Sequence, residues 1–406
     1  MAVGLQDFPN IPEIKGVKIG FAEAGIKKPN KKDLVVFELC EGAAVAGVFT
    51  QNAFCAAPVR VCQKHLLGSD IRYLLINTGN ANAGTGKQGM ENALLTCQEL
   101  ARSAGVAAES VLPFSTGVIG EPLPVAKILA ALPTALSSLE GGNWKAAGLG
   151  IMTTDTLPKG SVRTFEFDGR RYTVAGISKG AGMIRPNMAT MLGYVFSDIA
   201  LDKALLQQML SSVVNKSFNR ITVDSDTSTN DSCIAVATGA AGNDLVTDIN
   251  SPLAQAFLAA FTEVMQELAH AIVRDGEGAT KFVTIKVQGA KLESDATKVA
   301  FEVAHSPLVK TALFASDPNW GRILAVVGRA GVEALDVDKV QLHINGFEIA
   351  RDGCRSPDYL EEHGQEAMSP EEIQIQIDLG AGDSSDTVWT TDFSHEYVTI
   401  NADYRT

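Results

Sequence analysis

The segment around Thr190 has residue types and spacing that fit a chemical reaction. A glycine-rich stretch leads from Lys179 through Pro186 to Ala189 and Thr190, and a continuous apolar run, 191–196, follows. The run is typical of a buried strand, and a β-branched threonine commonly opens such a strand. The pattern alone therefore favours a structural role for Thr190 and leaves a catalytic role open.

A catalytic role for Thr190 rests on the chemistry of N-terminal residues. A hydroxyl is a weak nucleophile and needs a base. If the Ala189–Thr190 bond is cut, the new α-amino group lies beside the hydroxyl, and its ordinary pKa of about 7.7–8 leaves a neutral fraction near neutral pH. The same hydroxyl can make the cut by attacking the Ala189 carbonyl, because the glycines tolerate the necessary backbone strain. The segment thus supports a hypothesis of self-cleavage followed by acyl transfer.

A second segment, 113–120, is predicted to be a short turn containing Gly117 and Gly120. Backbone N–H groups in such a turn, together with the Thr116 hydroxyl, can stabilise the oxyanion that forms during acyl transfer. An ordinary turn is the alternative interpretation, and the spacing leaves it open.

Other catalytic patterns are weak or missing in the sequence. Gly84, Gly86 and Gly89 form a G-x-G-x-x-G match, but NTGNANA intervenes after the predicted strand 71–77, which disfavours a dinucleotide site. The six histidines lack metal-site spacing, and no G-x-S-x-G elbow is present. We therefore expect surface or packed histidines, and neither a metal nor an organic cofactor.

Composition and charge disfavour several classes of function. Hydrophobic residues make up 46% of the 406 residues, which allows a large core, and the net charge of −13 disfavours nucleic acids and anionic membranes. No uncharged apolar run is long enough to cross a bilayer, and the first residues lack the features of a secretory signal. The six cysteines form no C-x-x-C pair, so buried, reduced thiols in a cytoplasmic protein are expected.

The elements that must position these residues are predicted from periodicity and turn chemistry. Hairpins are expected at Asp168-Gly169 and Asn345-Gly346, since both pairs tolerate positive φ. Further strands are predicted at 282–288 and 373–379, and helices at 201–214 and 252–272, the second one capped by Ser251. Interleaved strands and helices with hairpins indicate a mixed α/β or α+β fold, with sheets packed between helices.

Eight segments resemble, in order and spacing, the ornithine acetyltransferase family of arginine biosynthesis, also called glutamate N-acetyltransferase. They are GVFTQNAFCAAPV (47–59), NTGNANAGTG (77–86), STGVIGEPLP (115–124), IMTTDTLPK (151–159), KGAGMIRPNMATML (179–192), TVDSDTSTNDS (222–232), RDGEGATKF (274–282) and SDPNWGR (316–322). The resemblance covers essentially the whole chain.

The resemblance implies an αββα-like sandwich with a smaller second lobe, similar to the fold of N-terminal-nucleophile hydrolases. It also implies cleavage between Ala189 and Thr190 into an α chain, 1–189, and a β chain, 190–406. The two chains are expected to stay associated, with two of each in a heterotetramer.

The implied reaction moves an acetyl group from N²-acetyl-L-ornithine to L-glutamate in two steps through acetyl-Thr190. Some members of the family also accept acetyl-CoA as the donor. Thr116 and Gly117 match the oxyanion-hole positions. The positions that match the family's substrate-binding residues are Thr153, Lys179, Thr190, Glu277, Asn401 and Thr406.

The side chains at these positions suit such a substrate. Lys179 can pair with a carboxylate and Glu277 with an ammonium group, while Thr153 and Asn401 offer neutral hydrogen bonds. Three alternatives stay open at this point. They are an N-terminal-nucleophile amidohydrolase or aminopeptidase, an oxidoreductase built on 84–89, and a non-catalytic binding protein with an intact chain.

Overall fold

The computed structural model describes residues 2–68, 70–185 and 191–403. In chain order, the elements up to residue 274 are β1 (Val17–Ala22), β2 (Leu34–Leu39), β3 (Ala44–Phe49), α1 (Ala57–Leu66), β4 (Tyr73–Asn80), α2 (Gly86–Ala104), β5 (Val111–Val118), α3 (Val125–Ser137), α4 (Trp144–Gly150), β6 (Lys159–Phe167), β7 (Arg170–Lys179), β8 (Leu192–Ser197), α5 (Lys203–Val214), β9 (Ser232–Ala237) and α6 (Pro252–Arg274). The elements that follow are β10 (Phe282–Ala290), α7 (Glu293–His305), α8 (Pro307–Phe314), α9 (Trp320–Arg329), β11 (Gln341–Ile344), β12 (Phe347–Arg351), β13 (Cys354–Arg355), α10 (Glu361–Met368), β14 (Glu372–Asp378), β15 (Ser384–Thr391) and α11 (His395–Ala402).

The strands β1 to β9 form two sheets that pack face to face. Their orders are β1-β2-β4-β5 and β3-β9-β8-β7-β6. An apolar core fills the space between the sheets, where Phe37 stacks on Phe196 with 4.8 Å between ring centroids. Helices α2 and α3 cover the outer face of the first sheet, and α5 and α6 cover the second. The predicted αββα sandwich with mixed sheets between helices is confirmed.

Alternation along the central strands explains why both faces of each sheet are covered. In β2, Val35 and Phe37 point into the core between the sheets, while Leu34 and Val36 point toward the helices. Successive side chains of a strand face opposite sides, so a strand that is apolar at every position must be buried on both sides.

The hairpin β6–β7 brings the ends of three strands together. Asp168 and Gly169 form its turn, both with positive φ, as predicted. Strand β7 ends at Lys179, which pairs with Leu192 at the start of β8, and Leu192 pairs in parallel with Ser232 at the start of β9. One edge of the five-stranded sheet therefore collects the end of β7 and the beginnings of β8 and β9.

The smaller second lobe contains a six-stranded sheet with the order β13-β12-β11-β14-β10-β15. Its core is formed by this sheet and the helices α7, α8, α9 and α10. The hairpin at Asn345 and Gly346 is present, with positive φ at both residues. The lobe predicted from the resemblance is thus confirmed.

Helix α6 is long and apolar enough to cross a membrane when judged by length and composition alone. Its apolar side chains, among them Phe257, Phe261 and Leu268, pack in the core against the five-stranded sheet. The Ser251 hydroxyl accepts a hydrogen bond from the Ala254 N–H at 3.3 Å, and Pro252 follows the cap. The helix therefore serves as a core helix of the sandwich.

Two expectations from the sequence are wrong. Most of the segment 113–120 belongs to strand β5 rather than to a turn, because parallel pairing with β4 continues to the end of the strand. The cysteines are free thiols, as expected, but burial does not extend to all of them: Cys354 is exposed and Cys40 and Cys55 are half-buried. Cys354 lies in the short strand β13 at the edge of the six-stranded sheet, where little covers it.

Candidate active site

A cavity of about 290 Å³ lies where the ends of strands from both central sheets meet. Six residues singled out from the sequence line it, namely Thr116, Gly117, Thr153, Lys179, Glu277 and Asn401. They come from the end of β5, the end of β7, two loops and helix α11. Residues so far apart in the chain converge because strand ends of two packed sheets meet at a common edge.

The end of β5 approaches β4 so closely that Gly117 must be glycine. Its φ is +133°, and a Cβ at this position would lie 2.3 Å from the carbonyl carbon of Gly79. Thr116 is opposite Thr78 in the parallel pair, and its hydroxyl accepts a hydrogen bond from Lys179 Nζ at 3.3 Å. The structure therefore brings Thr116, Gly117 and a buried cation to one wall of the cavity.

Lys179 is buried although a lysine usually reaches solvent. Desolvation lowers the pKa of its ammonium group, and the nearby Lys159 also lowers it, while Asp155 opposes the shift. An ammonium group in such a buried position attracts an anionic group strongly, because the local dielectric is low.

A buried charge cluster fixes the backbone at Thr153 and at Gly180, which directly follows Lys179. Lys159 Nζ lies 2.6 Å from a carboxylate oxygen of Asp155 and 2.6 Å from one of Asp275. Asp155 also accepts hydrogen bonds from the N–H of Thr153 at 2.9 Å and of Gly180 at 2.7 Å. Burial by itself would raise the pKa of Asp155, but Lys159, Lys179 and the N–H of Gly180 bring it below its usual range. Asp155 therefore stays ionised and holds two walls of the cavity in place.

Glu277 forms the acidic side of the cavity. It is buried, and its Oε2 accepts a hydrogen bond from Asn401 Nδ2 at 2.8 Å. The opposing loop has glycine at 182 because a Cβ there would lie 2.4 Å from the Glu277 carboxylate. The cavity thus presents a cation, Lys179, and an anion, Glu277, to one ligand.

Sequence reasoning missed the polar residues just before β9. Asn230 donates from Nδ2 to the carbonyls of Ser115 at 2.8 Å and Ala81 at 2.5 Å, and so ties β9 to the end of β5. Asp231 is buried with an Oδ2 that finds no hydrogen-bond partner among the described residues. Burial raises the pKa of Asp231 well above its usual range, against the opposing effects of Ser228, Lys179 and the N–H of Met191.

The signal for these residues was present in the sequence. Polar residues, TSTNDS, directly precede an apolar run that had to be a buried strand, so their burial at its start was foreseeable. The pair Asp155 and Lys159 likewise lies within a segment that was quoted only for its resemblance.

Three predicted site residues, Ala189, Thr190 and Thr406, lie outside the described residues. Met191, which follows Thr190 in the sequence, is buried, and its carbonyl accepts the N–H of Ser232 at 2.9 Å. Among the residues that the structure describes, no group of three or more His, Cys, Asp and Glu side chains has a metal-site arrangement.

The fold and the cavity define a class of enzyme. In it, an αββα sandwich holds a buried cation, Lys179, and a buried anion, Glu277, in one cavity beside the end of β5, where Gly117 is required. Comparison with known proteins identifies the family within this class. The ArgJ family model matches residues 18–406, so the chain belongs to the ArgJ family. The predicted membership of the ornithine acetyltransferase family of arginine biosynthesis is confirmed, and with it the predicted enzyme class, glutamate N-acetyltransferase.

Relatives from two Pseudomonas species match this chain over its full length. The arginine biosynthesis bifunctional protein ArgJ of Pseudomonas syringae pv. tomato is 57% identical over 406 residues, covering 100% of both chains, and that of Pseudomonas fluorescens is 56% identical over the same span. The crystal structure of the ArgJ protein of Bacillus halodurans matches with a TM-score of 0.50 and 36% identity, over 52% of this chain and 99% of that one.

Proposed function

We propose that the protein cuts itself between Ala189 and Thr190 and then transfers an acetyl group from N²-acetyl-L-ornithine to L-glutamate through an acetyl-Thr190 intermediate. The observation that carries the proposal is the convergence of six separately predicted residues on one cavity. Family membership and the αββα fold support the same chemistry.

The self-cleavage would use the Thr190 hydroxyl as the nucleophile and Ala189 as the electrophile. The acyl group moves from nitrogen to oxygen, and water then hydrolyses the ester, which leaves a free α-amino group on Thr190. The products would be an α chain, 1–189, and a β chain, 190–406.

In the transfer, the α-amino group of Thr190 acts as the base for its own hydroxyl. The hydroxyl attacks the acetyl carbonyl, and Thr116 and Gly117 stabilise the oxyanion. Ornithine leaves with the proton, and the amino group of glutamate then attacks the ester to give N-acetylglutamate.

The charges of the cavity suit N-acetylornithine. Lys179 would hold its α-carboxylate and Glu277 its side-chain ammonium group, since both groups are buried and of opposite sign. Thr153 and Asn401 would add neutral hydrogen bonds, and we propose Thr406 as a further substrate-binding residue. Thr190 would carry the acetyl group itself, and side chains of the protein would bind the substrates. The proposal therefore requires no cofactor.

We further propose acetyl-CoA as a second donor, two α and two β chains as the assembly, and the cytoplasm as the compartment. The word bifunctional in the names of the full-length relatives supports a second donor. The free thiols among the described residues agree with a reducing compartment.

Intact mass measurement and N-terminal sequencing of the purified protein test the proposal. Two fragments are expected, one of them beginning Thr190-Met191-Leu192. Thr190→Ala should stay intact and inactive because it lacks the attacking hydroxyl, whereas Thr311→Ala, a change at an exposed threonine of α8, should cleave normally. A single full-length chain after prolonged incubation, or cleavage of Thr190→Ala at this bond, would contradict the mechanism.

An amidohydrolase or aminopeptidase would use the same cleavage with water as the acceptor. Incubation with N-acetylornithine, with and without glutamate, separates the two reactions. Formation of acetylglutamate supports the transferase, and release of free acetate at an unchanged rate when glutamate is added supports the hydrolase.

A further inference from the structure

The first cut differs chemically from the later transfer, because the free α-amino group of Thr190 does not exist until the chain has been cleaved. In the uncut chain this nitrogen belongs to an amide, which is not basic. Efficient cleavage therefore needs another group that takes the proton of the Thr190 hydroxyl and returns one to the departing nitrogen. Since Thr190 directly precedes Met191 in the sequence, such a group has to lie near the start of β8.

Asp231 lies beside the start of β8. Leu192 pairs with Ser232, the residue after Asp231, in the parallel ladder of β8 and β9, and the N–H of Ser232 donates to the Met191 carbonyl at 2.9 Å. The Met191 N–H also interacts with the Asp231 carboxyl, which lowers the pKa of that group. The carboxyl therefore contacts the residue that is bonded to Thr190.

One oxygen of the Asp231 carboxyl is unused. The side chain is buried, and Oδ2 finds no hydrogen-bond partner among the described residues. A buried polar atom without a partner is costly, so its presence calls for a functional explanation. Burial raises the pKa of Asp231 well above its usual range, against the opposing effects of Ser228, Lys179 and the Met191 N–H. A carboxyl with a raised pKa accepts a proton more readily than an ordinary one.

The segment that carries Asp231 is held on two sides. Asn230 donates from Nδ2 to the carbonyls of Ala81 and Ser115, which ties the segment to the end of β5. On the other side, the N–H of Thr50 donates to the Asp231 carbonyl at 3.0 Å. A group that moves a proton between two atoms must be held at a fixed position. The backbone contacts on both sides of the segment meet this requirement.

The other buried acids and bases of the site are engaged elsewhere. Glu277 accepts a hydrogen bond from Asn401 Nδ2 at 2.8 Å, and Lys179 Nζ donates to Thr116 Oγ1 at 3.3 Å. Asp155 is paired with a buried lysine, and its pKa lies below its usual range, which makes it a poor proton acceptor. The unused carboxylate oxygen near the start of β8 is therefore the best-suited proton acceptor beside the cleavage position.

We propose that Asp231 carries the proton in self-cleavage, its Oδ2 taking it from the Thr190 hydroxyl and returning it to the Thr190 nitrogen. The inference rests on the proposed function and adds a residue to its first step. As the proton leaves, the hydroxyl oxygen bonds to the Ala189 carbonyl carbon. The proton then passes to the nitrogen, the carbon–nitrogen bond breaks, and an ester and a free α-amino group remain. Water hydrolyses the ester, and Asp231 ends in its starting state.

The test follows the cut in full-length chains made by pulse-labelled cell-free translation. Asp231→Asn keeps the shape and an acceptor for the Met191 N–H but cannot carry the proton, so its cleavage rate should fall on the order of 100-fold. The matched control is Asp198→Asn. Asp198 is a buried carboxyl directly after β8 that accepts the N–H of Thr173 at 2.9 Å, and burial raises its pKa too. This control should cleave at the unaltered rate.

Chemical rescue separates proton transfer from a structural role. In Asp231→Ala, added formate should restore much of the cleavage rate, because it brings a carboxylate through the adjoining cavity, which Ser228 and Asn230 line. Formamide has a similar shape but cannot carry the proton, so it should restore none of the rate. A merely structural role would be filled by both compounds. Rescue by both, or by neither, would overturn the inference.

Hydroxylamine identifies the step that is blocked. It cleaves esters, so it would speed the cut and leave a hydroxamate on Ala189 only if the Asp231→Asn chain stopped at the ester. We expect no acceleration, because the acyl shift itself is blocked. A hydroxamate product, or an Asp231→Asn chain that is cut at the unaltered rate, contradicts the role of Asp231. The main proposal fails separately, if the unaltered chain is never cut before Thr190.

Discussion

The buried charge cluster beside the candidate cavity, called the rim cluster or rim below, and the core of the second lobe bury different kinds of side chain. At the rim, Asp155, Lys159 and Asp275 are almost completely buried charges, held to one another and to backbone N–H groups. In the lobe, residues such as Ile344 and Ile375 fill a mainly aliphatic core between the six-stranded sheet and the helices α7 to α10.

The difference indicates that the two regions have different roles. Burying apolar area stabilises a fold but specifies atom positions only through packing. A buried ion cluster gains little net stability, because desolvation offsets the attraction, but removing one member of it is costly. We infer that the rim keeps its charges to position Thr153 and Gly180, while the lobe supplies stability.

The largest effect is expected when the rim cluster is broken. Lys159→Met leaves two carboxylates facing each other and should lower the free energy of unfolding by about 3–5 kcal/mol. It should also reduce kcat/KM about tenfold or more, since Asp155 would no longer hold the backbone of Thr153 and Gly180 in place. Urea unfolding and steady-state assays measure the two effects.

A salt bridge in the lobe provides the matched control. Arg329 and Glu302 pair at 2.6 Å with both side chains well exposed, so Arg329→Met should cost less than about 1 kcal/mol. If both substitutions cost the same, the proposed contrast between rim and lobe is wrong.

An aliphatic truncation in the lobe should affect stability and spare activity. Ile375→Ala, in β14, removes fully buried methyl groups and should cost about 2–5 kcal/mol. No residue of β14 lines the catalytic cavity, so kcat/KM should stay within about twofold well below the unfolding temperature. Ile375→Val serves as the milder control. A large loss of activity in a folded Ile375→Ala protein would refute the inference that the lobe supplies stability alone.

The last effect depends on pH and concerns a single buried amine of the lobe. Lys310 Nζ donates to Thr390 Oγ1 at 2.9 Å, and burial lowers the pKa of Lys310 to about 7, against the opposing charges of Asp392 and Asp224. Between this value and the unfolded pKa the unfolded chain binds more protons, so stability rises with pH from about 7 to about 10.

The slope from this residue is at most about 1.4 kcal/mol per pH unit. Urea unfolding at several pH values should show that Lys310→Met removes this slope relative to the unaltered protein. Thr311→Ala, next to Lys310 but exposed, should leave the slope unchanged. Parallel pH profiles for Lys310→Met and the unaltered protein would rule out this titration.

Much of the fold follows from local signals in the sequence. The hairpin turns at Asp168 and Asn345 were predicted because few residue pairs accept positive φ, and α6 because Ser251 caps a long apolar stripe. The segment 113–120 was misjudged because its glycines suggest a turn. Only the pairing of β5 with β4 shows that Gly117 ends a strand.

The sequence by itself determined the periodic elements, the family resemblance and the identity of candidate residues, because these depend on neighbouring residues or on order along the chain. Tertiary structure decided that Lys179 and Glu277 are buried opposite charges rather than solvated ones. It also decided that Asp155 and Asp275 share Lys159, and that the loop with Lys27, Lys28 and Lys31 lies beside the end of β5 at Gly117. Burial and charge pairing arise from contacts between distant segments, and no local pattern encodes them.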